Sequence, residues 1–137
     1  MNCAIAHLSL HPAIEARPLW PDGKQPSRKT AQRLCDLAAM ATAATFGLPV
    51  GEIVAATTRR TPYVAFARQG AMYVAHVTFG LSYSEVGRAF GRDRTTAAYA
   101  CRLIEDRRDD PAVDAVLYLL ESVCASLRLR LAAPVRP

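Results

Sequence analysis

Glycine and proline recur at intervals that divide the middle of the sequence into segments of helix length. Gly47 and Pro49 separate the first two segments, and Gly80 and Gly91 separate later ones. Glycine suits the left-handed position that follows a helix, whereas proline cannot continue the hydrogen-bond ladder. Apolar residues within the segments recur every three or four positions, and runs of β-branched residues are few. The pattern predicts an all-α fold, a compact helical bundle.

The segment at 62–79 is apolar on nearly every side, which is typical of a helix at the centre of a bundle. Arg68, Gln69 and His76 interrupt it, so it is a poor membrane span. We predict an irregular or disordered leader at 1–27, a helical domain at 28–130 and a frayed tail at 131–137. The predicted helices cover about 29–46, 50–56, 62–79 and 111–130, with two short helices between the last two.

Composition limits the function only weakly. The formal charge of +5, from 17 Lys and Arg against 12 Asp and Glu, suits a polyanionic partner. No Lys or Arg precedes the first apolar stretch, so the sequence predicts no secretion signal and a cytoplasmic, nucleoid-associated protein. His7 and His11 lack a third ligand, which argues against a metal site. The cysteines have no CxxC spacing and are predicted to be free thiols: Cys3, Cys35, Cys101 and Cys124.

Two short helical patterns lie within residues 81–104. Ser82 followed by Glu85 forms a capping box for the first helix, which Gly91 ends. Asp93 then begins a second helix, whose predicted inward stripe is Ala97, Ala100, Cys101 and Ile104. Two short helices joined by a tight glycine turn are typical of a helix-turn-helix.

The outward face of the second predicted helix indicates the function. Arg94, Thr95, Thr96 and Arg102 lie where a recognition helix contacts base edges and phosphates. Arginine can bind guanine with two hydrogen bonds, and threonine can contact phosphate or the thymine methyl group. Asp93 either accepts from a cytosine amino group or only caps the helix. On pattern alone, an ordinary helical hairpin with a solvated basic face remains open.

The run Phe90-Gly91-Arg92-Asp93-Arg94-Thr95-Thr96, followed by Ala100-Cys101-Arg102 and Ile104-Glu105, is similar to a family signature. Residues 33–127 resemble the C-terminal DNA-binding domain of the bacterial replication initiator DnaA. The resemblance implies the fold of DnaA domain IV, which is like that of Trp repressor.

The resemblance also implies roles for ten residues. The basic loop Arg59-Arg60 corresponds to one that enters the minor groove through Arg60, and Arg68 and Gln69 match contacts to the DNA backbone. The signature residues would read the major groove and bind flanking phosphates, and Arg102 matches a basic position on the same helix. The implied DNA-binding set is Arg59, Arg60, Arg68, Gln69, Arg92, Asp93, Arg94, Thr95, Thr96 and Arg102.

The sequence departs from the family pattern at several positions. Only Gly91 precedes the Arg-Asp pair where the family usually has two glycines, and Arg94 stands in place of histidine. Ser84 replaces a common proline, and Tyr99 a common histidine. We expect DNA binding to survive these changes. The preferred sequence is expected to differ, because arginine favours guanine.

Neither a Walker A loop, a catalytic triad nor a cofactor motif is present in the sequence. We therefore expect no enzymatic activity and no cofactor, and a stand-alone regulator that acts by occupying double-stranded DNA. The regulated process is transcription or replication initiation, with a second copy of the chain or the initiator as further candidate partners. The alternative is a protein-interaction module that has kept the fold and lost DNA binding.

Overall fold

The computed structural model describes residue 20, residues 24–54 and residues 61–132, with side chains described through residue 128. Most of the predicted leader, residues 55–60 and the end of the predicted tail lie outside the described residues.

The described part of the chain forms six α-helices and no β-strand, which confirms the predicted all-α bundle. Most predicted boundaries agree with the structure within a residue or two, although the last helix continues to Ala132. The helices are α1 (Arg28–Phe46), α2 (Val50–Val54), α3 (Pro62–Phe79), α4 (Tyr83–Ala89), α5 (Arg94–Arg107) and α6 (Pro111–Ala132).

Side-chain caps and left-handed glycines fix the helix ends. The Ser27 hydroxyl accepts a hydrogen bond from the Thr30 N–H at 3.2 Å, so Ser27 is the N-cap of α1. Thr61 caps α3 in the same way. Gly47 and Gly80 follow α1 and α3 with φ of +65°, a conformation that glycine adopts without strain. These local signals explain why the sequence predicted the boundaries.

Helix α3 lies at the centre of the bundle and packs against each of the other five helices. Its segment from Ala71 to Ala75 is buried throughout, as the apolar pattern predicted. The apolar spacing predicts inner stripes that include Thr45 in α1 and Val123 in α6, and both predicted stripes are too wide. Thr45 in α1 is exposed, and Val123 in α6 is 42% exposed. Helix α6 packs mainly on α1 and α3, and among its described side chains Leu117, Leu120, Cys124 and Ala125 are buried.

Residues that precede α1 contact the connection between α3 and α4. The Trp20 Nε1–H donates to the Phe79 carbonyl at 2.8 Å. The Gln25 amide donates to the Gly80 carbonyl at 3.2 Å and accepts from the Ser82 N–H at 2.9 Å. Trp20 and Gln25 together hold the segment that leads into α4.

The predicted free thiols are confirmed at Cys35, Cys101 and Cys124, which are all buried, whereas Cys3 lies outside the described residues. Burial raises the pKa of Cys35 and of Cys101 to about 12 and that of Cys124 to about 11. The thiolate is the reactive form, so these three thiols act as small apolar core residues.

Within the described residues, no helix has the length and apolar character of a membrane span. The same residues contain no cluster of three His, Cys, Asp or Glu side chains placed to hold a metal ion.

Candidate nucleic-acid interface

The start of α4 is capped by two different residues. The Ser82 hydroxyl accepts from the Glu85 N–H at 3.2 Å, as the capping box predicts. The Glu85 carboxylate does not return to the Ser82 N–H, because it pairs with Arg88 at 2.7 Å. Gln25 takes that N–H instead. The chain before α1 therefore completes the cap that local sequence provides only in part.

A close backbone contact fixes α5 against α4. Gly91 has a φ of +64°, and the Arg92 N–H donates to the Gly87 carbonyl at 2.7 Å. A Cβ atom on Gly87 would lie 2.7 Å from the Asp93 carbonyl oxygen, which is closer than real Cβ contacts. Glycine at position 87 is therefore required for the tight turn. Sequence reasoning missed it, although a glycine inside a helix is a recognised signal of close backbone approach.

Asp93 is the N-cap of α5. Its Oδ1 accepts from the Thr96 N–H at 2.7 Å. That backbone hydrogen bond, with a second one from the Thr96 side chain, lowers the pKa of Asp93 below its usual value. The carboxylate also complements the positive end of the helix dipole. The structure thus shows the capping role, and contact with a cytosine remains a prediction.

The two faces of α5 differ in chemistry, as the sequence predicted. Ala97, Ala100, Cys101 and Ile104 are buried against the bundle. On the opposite face Arg94, Thr95 and Arg102 are exposed, and Thr96 at the edge is half-buried. Tyr99 is 56% exposed and lies one turn from both Thr95 and Arg102, so it belongs to the same outward face. Sequence reasoning noted Tyr99 only as a departure from the family.

Arg92 lies in the turn between the two helices and is half-buried. Its Nε and Nη2 atoms are shielded from solvent and have no hydrogen-bond acceptor among the described residues. Guanidinium donors without acceptors are costly to bury. A phosphate could reach these two atoms only if the side chain moved, so the phosphate contact of Arg92 stays a prediction.

Arg68 does not lie where the family resemblance implied. Its side chain is only 1% exposed, whereas the resemblance implied a contact with the DNA backbone. Its Nε donates to the Ile53 carbonyl at 2.8 Å, and its Nη2 donates to the Glu52 carbonyl at 2.7 Å. These carbonyls lie at the end of α2, where a helix lacks internal donors. In this structure Arg68 therefore stabilises the end of α2, and we exclude it from the proposed DNA contacts.

The other three members of the implied backbone and minor-groove set are Gln69, Arg59 and Arg60. Gln69 is half-buried, next to Arg68 in α3. Arg59 and Arg60 lie outside the described residues. Arg68 bonds the carbonyls at the end of α2, the last described residues before this gap.

A short helix, a glycine turn and a capped second helix with exposed arginine and threonine define a helix-turn-helix domain, the class that places its second helix in the major groove of DNA. The chain belongs to the family described as the bacterial DnaA protein helix-turn-helix, whose profile matches residues 36–104, half of the chain. The matched region begins within α1 and ends at Ile104 in α5.

Individual relatives agree with the family assignment. The chain is 30% identical over 108 residues to the chromosomal replication initiator protein DnaA of Thermodesulfovibrio yellowstonii, a match that covers 78% of this chain and 22% of the relative. It is 39% identical over 71 residues to DnaA of Acinetobacter baumannii strain AYE, covering 50% of this chain and 15% of the relative. It is 49% identical over 49 residues to DnaA of Agrobacterium fabrum, a match that covers 35% of this chain and 10% of the relative. The chain thus spans about a fifth or less of these relatives.

Proposed function

We propose that this protein binds double-stranded DNA sequence-specifically, with the N-terminal end of α5 in the major groove. One observation carries the proposal. Arg94 and Thr95 are exposed at the start of a helix that Asp93 caps and that Gly87 allows to pack closely on α4. A fixed backbone with exposed arginine and threonine is what direct readout of base edges requires.

The side chains of the proposed interface have different roles. Arg94 and Thr95 read bases, while Arg92, Thr96 and Arg102 bind phosphates and set the register of the helix. Gln69 contributes a backbone contact, and the basic pair Arg59-Arg60 enters the adjacent minor groove through Arg60. Narrow A·T-rich minor grooves attract arginine in particular.

We propose that the chain acts by occupancy rather than by catalysis. Bound DNA would be unavailable to other proteins, which regulates either replication initiation or transcription. The replication context is supported by the relatives, which are chromosomal replication initiators. A second copy of this chain and the initiator are the proposed protein partners.

Selection of bound duplexes from a random pool, followed by titration of the selected site and a scrambled site, tests the proposal. Arg94→Ala is expected to reduce the discrimination between the two sites by about 1–3 kcal/mol, the usual cost of a lost base contact. Arg107→Ala, at the other end of the same helix, is the control and should leave discrimination unchanged. Unchanged discrimination in Arg94→Ala would remove α5 from base readout. Lack of duplex binding by the unaltered chain at low salt would instead favour the protein-interaction module.

A further inference from the structure

Four exposed cations lie at and just before the start of α1, in a region that the sequence analysis assigned to no function. None of them falls within residues 36–104, the part of the chain that matches the family profile. We call this surface the basic flank, and it consists of Lys24, Arg28, Lys29 and Arg33.

Two glutamine contacts place the basic flank beside the helix-turn-helix. Gln25 bonds the Ser82 N–H at the start of α4, and Gln32 donates to the Ala89 carbonyl at its end, at 3.3 Å. The segment from Gln25 to Gln32 therefore runs alongside the whole of α4. Arg28 and Lys29 lie between these two contacts in sequence, and Arg33 follows the second.

The basic flank is not neutralised by the rest of the described structure. None of its four side chains forms an ion pair or a hydrogen bond with a described residue. The carboxylates of Asp36 in α1 and Glu85 in α4 have other partners, since Asp36 accepts from Gln32 at 2.9 Å and Glu85 pairs with Arg88 at 2.7 Å. An unpaired cluster of this kind produces a positive field on one side of α4.

We propose that the basic flank binds phosphates of the DNA strand that borders the groove occupied by α5. This inference rests on the proposed function, and it extends the DNA contact surface beyond the helix-turn-helix. In helix-turn-helix complexes the first helix crosses the DNA backbone, and here α4 is that helix. A cationic segment held along α4 is therefore continuous with the proposed interface. Its contacts would add affinity and salt dependence without reading sequence.

The salt dependence of binding to the selected duplex tests the proposal. The triple variant Arg28→Gln, Lys29→Gln, Arg33→Gln keeps residues that favour helices and removes three charges. Each lost phosphate contact reduces the log-log salt slope by about 0.9, so three lost contacts reduce it by about 2.7. Between 50 and 200 mM salt, the affinity of the unaltered chain is then expected to fall roughly 40-fold further than that of the variant. Duplexes selected from a random pool should be the same for both proteins.

Single-charge variants control for the change in net charge. Arg28→Gln is expected to reduce the slope by about 0.9, whereas Arg107→Gln, at the far end of α5, should not change it. Arg28→Lys keeps the charge and should keep the slope. If the unaltered chain binds its selected duplex and the triple variant has the same salt slope, the proposal for the basic flank is overturned and the proposed function is not. If the unaltered chain binds no duplex at low salt, both proposals fail, so the two failures are distinguishable.

Discussion

The two ends of α5 use arginine in opposite ways. At the N-terminal end Arg94 is exposed, and two donor atoms of Arg92 have no acceptor among the described residues. At the C-terminal end the Arg107 guanidinium lies 4.5 Å from the centre of the Phe66 ring, and Arg108 forms ion pairs with Asp114 and Glu121, both at 2.6 Å. Arginines at the C-terminal end thus hold the helix to the bundle. At the N-terminal end, the exposed side chain of Arg94 is available to a ligand.

Arg108 and its partners form a cluster at the C-terminal end of α5 that joins α3, α5 and α6. Arg108 also donates to the Tyr73 hydroxyl of α3 at 3.1 Å. Burial by itself lowers the pKa of Arg108, but hydrogen bonds to Glu121 and Asp114 outweigh it and leave that pKa raised. The guanidinium therefore stays charged, and the two carboxylates and the phenol keep a partner. We infer that the cluster sets the position of α5 relative to α3 and α6.

The largest expected effect comes from removing this cluster. Arg108→Ala leaves two partly buried carboxylates without their cation, and we expect it to lower the free energy of unfolding by about 2–4 kcal/mol. This is less than for a fully buried pair, because each side chain is about one-fifth exposed. Urea denaturation measures it. Arg102→Ala, on the exposed face, is the matched control and should change stability by less than about 0.5 kcal/mol. If Arg108→Ala and Arg102→Ala lowered the free energy of unfolding equally, Arg108 would not hold the C-terminal end of α5 to the bundle.

A smaller loss is expected at the contact that positions the N-terminal end. Gly87→Ala brings a Cβ atom within 2.7 Å of the Asp93 carbonyl oxygen, and backbone cannot yield without moving the turn. We expect a loss of about 1–3 kcal/mol in unfolding free energy, together with weaker DNA binding. Gly51→Ala in α2 is the control, because a Cβ there has open space and should stabilise the helix by up to about 1 kcal/mol. Stabilisation by Gly87→Ala would show that the close approach is not required.

The features that sequence predicted well are local. Helix ends depend on glycine, proline and capping side chains within a few residues, so Gly80 and Asp93 could be assigned from neighbouring positions alone. The inward stripe of α5 was also predicted correctly, because α4 and the central helix α3 bury one side of α5.

The features that sequence missed depend on partners far away in the chain. Arg68 is buried because carbonyls 15 and 16 residues earlier receive its guanidinium, and no local pattern shows this. Gln25 contacts residues 55 and 57 positions later. The sequence shows the charges of the basic flank, but its position beside α4 depends on the contacts of Gln25 and could not be predicted. Gly87 is the exception, since its position inside a short helix was a usable signal.

The smallest expected change in stability is at Asp93, where the cap can be kept while the charge is removed. Asparagine also caps helices well, so Asp93→Asn should leave stability at neutral pH almost unchanged. The pKa of Asp93 is lowered in the folded protein, so its ionised form adds stability above its unfolded pKa. That stability is lost as the pH falls through the folded pKa. Denaturation of Asp93→Asn should therefore lack this part of the acid dependence. An identical pH profile in both proteins would mean that the carboxylate does not stabilise α5.

The same variant separates the two roles considered for Asp93 in DNA binding. If the side chain only caps α5, removing a negative charge next to phosphates should increase affinity for every duplex by a similar factor, and the selected sequence should not change. If the carboxylate accepts from a cytosine amino group, Asp93→Asn should relax the preference at one base pair, because an amide can also bond adenine. Competition between the selected duplex and its single-base variants distinguishes these outcomes. The result decides whether the N-terminal end of α5 reads sequence through its arginine and threonine alone or also through the residue that begins the helix.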